Sequence, residues 1–309
     1  MPNKSSTVYL FRKTKKIREV DLSPLCVYFA QIMSLYITSL NSGSNGNCYY
    51  VGNNTEAVLV DAGISCREIE KRMKRLGLAI QNVKALFVTH EHTDHIRGIG
   101  TLSHKYQLPV YITAATLHHS RVNIDKQLVK TFSAYEPTHI GGLTVNAFPK
   151  QHDAIDPYSF IIEGNGITVG VFTDIGTPCE HLIRNFKQCH AAFLEANYDE
   201  TMLEEGAYPI YLKMRIRGGK GHLSNRQAIE LLATHKPKYM SHLLLSHLSK
   251  NNNSPDLVSE LFRPFAQEMN IVIAPRYNET EVYEVHAEKV VPTKKIVIPK
   301  KKTLQPTLF

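Results

Sequence analysis

Nowhere in the 309 residues does an apolar run approach the ~20 residues that a membrane-spanning helix needs. The longest candidate near the start, Leu25 to Ile32, is too short for a span or a signal sequence, so no membrane association is expected. Paired cysteines are also lacking: Cys26, Cys48, Cys66, Cys179 and Cys189 are odd in number, scattered and without a C-x-x-C pair. That pattern argues against a disulfide framework and for a reducing, cytoplasmic setting. Acidic residues are absent from 291–309, which carry five lysines, while residues 1–33 carry six Lys/Arg against Glu19 and Asp21. These two ends contribute +4 and +5 of the formal +8, leaving the middle at about −1. Charge therefore argues for basic arms on a neutral body, not for a uniformly basic face.

Within that body, His90-Glu91-His92-Thr93-Asp94-His95 supplies imidazoles and a carboxylate at spacings suited to two metal ions. The apolar run Ala85-Leu86-Phe87-Val88 reads as a buried strand, so the cluster lies on the loop leaving its end, where sites live. His90 and His92 can reach one ion while Asp94 and His95 turn toward a second. Further ligands follow short apolar segments: His152 after Val145 to Phe148, Asp174 after Val169 to Phe172, and His247 after Leu243 to Ser246.

In this order the residues resemble the metallo-β-lactamase superfamily, whose pattern is H-x-H-x-D-H followed by a His, an Asp and a last His. The resemblance implies one metal held by His90, His92 and His152, another by Asp94, His95 and His247, and Asp174 bridging both. Zinc or manganese are the ions expected. Asp61, after Val58-Leu59-Val60, matches the early strand-end Asp that orients ligands from behind; as an isolated residue it reads equally as a turn Asp before Gly63.

Leu35 to Leu40, Asn47 to Val51 and Ala57 to Val60 read as strands, the first two joined by a loop rich in Gly, Ser and Asn. Ser65 and Glu68 form a capping-box pattern opening a helix that Gly77 ends. Helices are expected over Ile96 to Tyr106 and Thr113 to about Val122, with a strand at Val110 to Ile112. Strands follow at Leu143 to Phe148, Tyr158 to Glu163, Ile167 to Phe172, Ala191 to Leu194 and Tyr239 to Ser246. Ser224 caps one more helix, and Pro255 opens another running to about Met269. Periodicity alone gives a mixed α/β (α+β) class; the resemblance implies a four-layer αββα sandwich. The expected organisation is an N-terminal extension over 1–33, with Met33 as a candidate native start, one catalytic domain over 34–290, and a flexible basic tail over 291–309.

For the reaction, His at position 92 matters, because flavodiiron relatives carry Glu there; hydrolysis is favoured over redox chemistry. Glu195 in Leu194-Glu195-Ala196-Asn197 and His222 in Gly221-His222-Leu223-Ser224 resemble the acidic and HST loops of transfer-RNA 3′-end nucleases. Such a pair supplies the proton that a poor leaving alkoxide needs, with Glu195 supporting His222 as the acid. Alone, each reads as an ordinary strand-end carboxylate and a loop histidine. The nine other histidines, His118, His119 and His242 among them, read as structural or surface residues.

Only about a score of residues separate His152 from Asp174, which leaves no room for a transfer-RNA processing arm, and Asp174 to His247 is too short for a β-CASP domain. From Ser42-Gly43-Ser44-Asn45-Gly46-Asn47-Cys48 through Ser246-His247-Leu248-Ser249 the chain resembles the compact YycJ/WalJ family. That resemblance implies 5′ to 3′ exonuclease activity on DNA, preferred over RNA, in repair or maintenance. Ser44, Asn45, Lys213, Arg215, Arg217 and Lys220 are candidate substrate contacts, the basic run having a solvated loop as its plain alternative. Gln305, Leu308 and Phe309 resemble the Q-x-x-L-F peptides that dock on a bacterial sliding clamp. Two rival functions stand beside this: a small-molecule hydrolase (cyclic phosphodiesterase or thioesterase) using the same metals, and a clamp-associated metal-binding regulator without catalysis.

Overall fold

The computed structural model describes residues 34–287 and the two-residue strand Ile296–Val297. The extension over 1–33, the start at Met33, and Gln305, Leu308 and Phe309 lie outside the described residues. One sheet contains β1 (Leu35–Asn41), β2 (Cys48–Gly52), β3 (Ala57–Val60), β4 (Val83–Phe87), β5 (Val110–Tyr111), β6 (Val129–Lys130) and β14 (Tyr283–Val285). A second contains β7 (Pro137–Ile140), β8 (Leu143–Pro149), β9 (Tyr158–Gly164), β10 (Ile167–Phe172), β11 (Ala191–Glu195), β12 (His242–Ser246), β13 (Asn270–Ile273) and β15 (Ile296–Val297). The spatial orders are β14-β1-β2-β3-β4-β5-β6 and β15-β13-β12-β11-β10-β9-β8-β7. Thus β15, inside the segment expected to be a flexible tail, is an edge strand parallel to β13.

Side chains alternate across each strand, and in the central strands both faces are covered. Val58 and Val60 of β3 enter a core between the sheets with Phe87, Phe160, Val171 and Phe193. Ala57 and Leu59 turn the other way, onto α1 (Cys66–Arg75) and a helix pair, α2 (Thr93–Ile96) and α3 (Ile99–Tyr106). Beyond α3, α4 (Ala114–Ser120) completes this side of the first sheet. The outer face of the second sheet is covered by α5 (Glu180–Phe186), α8 (Asn225–His235) and α9 (Pro255–Phe262). Three apolar cores therefore separate four layers, helix, sheet, sheet, helix, as the αββα expectation required. Strands buried on two faces have no need of polar alternation, which is why Ala57–Val60 reads as one apolar run.

Several expected boundaries shift for local reasons. The helix expected over 96–106 is broken at Gly98. Asp94 O, which would accept the Gly98 N–H in a continuous helix, accepts from Asn47 N at 2.7 Å, and Gly98 N instead donates to Ala62 O at 2.7 Å. The capping box at Ser65 is half made. Its hydroxyl accepts from Glu68 N at 3.3 Å, but the Glu68 carboxylate turns to Lys71 and Arg72. A complete box forms at Ser224 and Gln227. The helix from Pro255 ends at Phe262 and continues as a 3₁₀ turn over Arg263–Gln267, where Pro264 lacks an amide hydrogen. The basic run lies largely on α7 (Ile210–Arg217), which follows α6 (Glu200–Glu205), and not on a loop; Lys220 comes just after it.

Candidate metal centre

Asp61, His90, His152, Asp174, Glu195 and His247 all lie at or just beyond the carboxyl ends of β3, β4, β8, β10, β11 and β12. The parallel strands aim their ends one way, so these side chains gather in the crevice outside the sheet edges. His90, His92 and His152 bring ligand atoms within 4.8 Å of one another, and so do Asp94, His95 and His247. Asp174 lies between the two groups. Its Oδ2 is 3.1 Å from His95 Nε2, and its Oδ1 is 3.6 Å from His247 Nε2 and 3.9 Å from His152 Nε2.

Ligand atoms at ~2.1 Å around a tetrahedral ion are ~3.4 Å apart. The spacings here fit: 3.0 Å for His90 Nε2 to His92 Nδ1, 3.3 Å for His152 Nε2 to His92 Nδ1, 3.5 Å for His247 Nε2 to Asp94 Oδ2. Asp174 Oδ2 is buried and makes no hydrogen bond of acceptable geometry despite the nearby His95 ring. An unsatisfied buried carboxylate oxygen amid imidazoles is costly unless a cation meets it. The donor set, five imidazoles and two carboxylates, suits a pair of divalent metals.

Acceptors behind the rings decide which nitrogen faces inward. His95 Nδ1 donates to Asp61 Oδ2 at 2.7 Å, His152 Nδ1 to Gly221 O at 3.0 Å and His247 Nδ1 to Glu195 Oε1 at 3.2 Å. Thr89 Oγ1 donates to Asp61 Oδ2 and accepts from His90 Nδ1, both at 2.8 Å. Each of these four rings therefore presents Nε2, and His92 presents Nδ1. Asp61 is fully buried and also accepts from Thr89 N at 2.8 Å, so both of its carboxylate oxygens are bonded within the cluster.

The charges are mutually adjusted. Burial alone would lower His95 and His247, but Asp174 and its neighbouring carboxylates raise His95 well above the usual range and His247 to about 10. Burial pushes His90 well down and His152 to about 3. Asp94 would rise on burial, yet His95 and His247 hold it at about 2.

Glu195 and His222 do meet. Glu195 Oε1 is 2.8 Å from His222 Nδ1, while Oε2 accepts from Ile175 N at 2.6 Å and Leu223 N at 3.2 Å. Burial would raise this carboxyl, but His222 and the bonds to it and to His247 hold it at about 2. The sequence did not foretell that Glu195 faces both His222 and His247. His222 lines a cavity of about 170 Å³, with Ser44, Asp153, Asn197, Tyr208, Arg215 and others around it.

Of the expected substrate contacts, Ser44 and Arg215 line that cavity. Asn45 instead exchanges bonds with Arg276: its Nδ2 donates to Arg276 O at 2.7 Å, and its Oδ1 accepts from the guanidinium at 3.1 Å. Arg215 is paired with Asp153, Arg217 with Glu204, and Lys213 donates to Glu204 O at 2.5 Å. Lys220 is exposed.

Other supporting residues escaped the sequence reading. Asn47 Nδ2 lies 3.3 Å from Asp94 Oδ2, Ser42 Oγ accepts from His247 N at 2.7 Å, and Asn197 Nδ2 donates to His247 O at 2.8 Å. The nearly buried Lys150 donates to Thr173 O at 2.7 Å beside Asp174. Glu91, inside the histidine cluster, ties down the 153–156 loop by accepting from Ile155 N at 2.9 Å. The signals were slight: small polar residues in a Gly-rich loop, and a lysine two places before a ligand histidine.

Residues 56–247 match the family described as a beta-lactamase superfamily domain. The chain is 34% identical over 266 residues to exodeoxyribonuclease YycJ of Bacillus anthracis, covering 85% of this chain and 98% of that protein. It is 30% identical over 223 residues to exodeoxyribonuclease WalJ of Streptococcus pneumoniae (strain D39), covering 71% and 83%. Among solved structures, the metallo-beta-lactamase fold protein YhfI from Bacillus subtilis aligns with a TM-score of 0.61 at 19% identity, over 81% of this chain and 99% of that one. Zn(2+)-bound PqqB from Methylobacterium extorquens aligns with a TM-score of 0.61 at 16% identity, over 80% and 99%; these two likenesses concern the fold alone.

Proposed function

This chain belongs to the β-lactamase superfamily, and within it to the YycJ/WalJ family, and from that premise we propose that it is a dinuclear-metal phosphodiesterase that shortens DNA from a 5′ end. It is a metal-dependent hydrolase by family; the substrate rests on the relatives' names and on the site's chemistry. The observation that carries the reading is the 2.8 Å contact between Glu195 and His222 against the metal cluster. Lactam and thioester hydrolases have easier leaving groups and less need of a dedicated Glu/His pair, whereas a phosphodiester must expel an alkoxide.

His90, His92 and His152 would hold one ion, Asp94, His95 and His247 the other, with Asp174 between them. Two divalent ions so held supply an activated water at neutral pH and neutralise charge on the phosphoryl oxygens. Glu195 accepts the Nδ1–H of His222 and fixes the ring, leaving Nε2 to give a proton to the departing oxygen. Asp61, Thr89, Gly221 O and Glu195 keep the ligand rings from turning. Zinc or manganese suits an imidazole-rich set with carboxylates.

A DNA duplex labelled at either end and incubated with the purified protein and Mn²⁺ or Zn²⁺ tests this. Release of the 5′ label as mononucleotide is expected; release from the 3′ end alone would overturn the polarity, and scission of closed circles would overturn the exonuclease assignment. A role in DNA repair or maintenance is part of the proposal, with recruitment through Gln305, Leu308 and Phe309 to a sliding clamp. Leu308→Ala with Phe309→Ala is then expected to abolish clamp binding by surface plasmon resonance while sparing cleavage of short oligonucleotides.

A further inference from the structure

Helix α7 is unusual among the described helices of eight or more residues in burying none of its own. A surface helix normally turns its apolar stripe inward. Here Tyr211, Ile210 and Met214 are exposed by 71%, 63% and 59%, more than nearly every other large apolar residue described. An adjoining side of the same helix belongs to the site: Leu212, Arg215 and Ile216 line the cavity beside His222. Tyr211 does not line the cavity itself, but it stands next to Leu212 and one turn before Arg215, both of which do. Met214, three residues on from Tyr211, extends that apolar strip outward.

The helix carries Lys213, Arg215 and Arg217 and no acid, and Lys220 follows it. The pairs Arg215 with Asp153 and Arg217 with Glu204 are solvent-facing, of the kind that contributes little to stability. Phosphate oxygens can replace those carboxylates at small cost. The cavity, at about 170 Å³, is smaller than the ~300–1,000 Å³ that holds a drug-sized ligand. That size suits a phosphate group and little more.

We propose that α7 is a stacking platform for a single-stranded end, with the terminal phosphodiester in the cavity and the following unpaired bases lying on Tyr211 and Met214. A base pulled out of its duplex loses its stacking neighbour, and an aromatic ring supplies one without regard to sequence. Lys213 and Lys220 then track the backbone, so the platform recognises strandedness and the cations recognise charge. This specificity rests on the nuclease reading above.

The test compares the full chain with Tyr211→Ala and Tyr211→Phe on three substrates: bis-p-nitrophenyl phosphate, a 5′-phosphorylated single-stranded 12-mer, and the same 12-mer with abasic sites at its first three internal positions. Tyr211→Ala is expected to raise KM on the intact 12-mer by about 5- to 100-fold, the range for losing one base–aromatic stack. It leaves turnover of the small diester and the salt slope of oligonucleotide binding unchanged, and Tyr211→Phe retains wild-type behaviour. On the abasic strand the wild type is expected to fall to the level of Tyr211→Ala, with no further loss in the variant. Unchanged KM in Tyr211→Ala, or an equal loss on intact and abasic strands, overturns the platform while leaving the nuclease assignment standing. A wild-type protein that turns over the small diester but no oligonucleotide overturns both.

Discussion

Asp61, Asp174 and His247 leave their strands with φ of 62°, 55° and 57°, a left-handed conformation that side chains other than glycine adopt at a cost of about 1–3 kcal/mol. Their side chains converge on one cluster, which the left-handed backbone turns them toward. Asp174→Asn keeps a residue tolerant of that backbone while removing the charge, which separates ligation from folding. We expect it to lose bound metal by elemental analysis and to reduce turnover by at least the ~10–100-fold typical of disturbing a ligand's partner. Retention of two ions with normal turnover would sink the assignment. His222→Ala is expected to keep its metal and to slow a poor-leaving-group diester far more than bis-p-nitrophenyl phosphate, whose leaving group needs no proton. Glu195→Gln has a broader expected effect, because Glu195 also faces His247 Nδ1: loss of the same leaving-group selectivity together with weaker metal binding.

At the scale of elements, the metal loop depends on close backbone approach. A Cβ at Gly63 would lie 1.7 Å from Asp94 O and 2.4 Å from Asp94 C, both immovable without displacing the loop. Gly77 has φ +71° but open space around it. Thus Gly77→Ala is expected to cost only about 1–2 kcal/mol, the price of left-handed backbone. Gly63→Ala is expected to lower the melting temperature further and to lose metal as well. Equal melting temperatures for the two variants, each with full metal, would contradict the packing of β3's end against α2.

For the molecule as a whole, metal binding and proton uptake are linked. Asp174 and its neighbouring carboxylates outweigh burial to hold His95 well above its usual range and His247 at about 10, which favours the charged form of both rings at pH 7 until a metal displaces the protons. His90 and His152 are pushed down by burial and are already neutral. A metal needs neutral imidazole, so its binding releases about two protons, and affinity rises with pH across the neutral range. Calorimetry at pH 7 in buffers of different ionisation enthalpy measures this directly; a heat independent of the buffer would refute it.

The residue order His90, His92, Asp94, His95, His152, Asp174, His247 and the apolar runs before these residues were sufficient to read the layered class and to pick out side chains that the fold gathers in one crevice. Ligand chemistry is carried by side-chain identity, and a strand buried on both faces leaves a plain apolar run. Short edge strands such as β6 and β14 left little pattern, because two or three residues cannot show a period. Tertiary structure alone decided the break at Gly98, where Ala62 and Asn47 take over hydrogen bonds the helix would have made. It also decided that Glu195 faces two histidines, that Asn45 turns to Arg276, and that α7 leaves Tyr211 exposed next to the cavity-lining Leu212. Each depends on contacts between residues far apart in the chain, whose distances are set by how two sheets pack and are written in no local spacing.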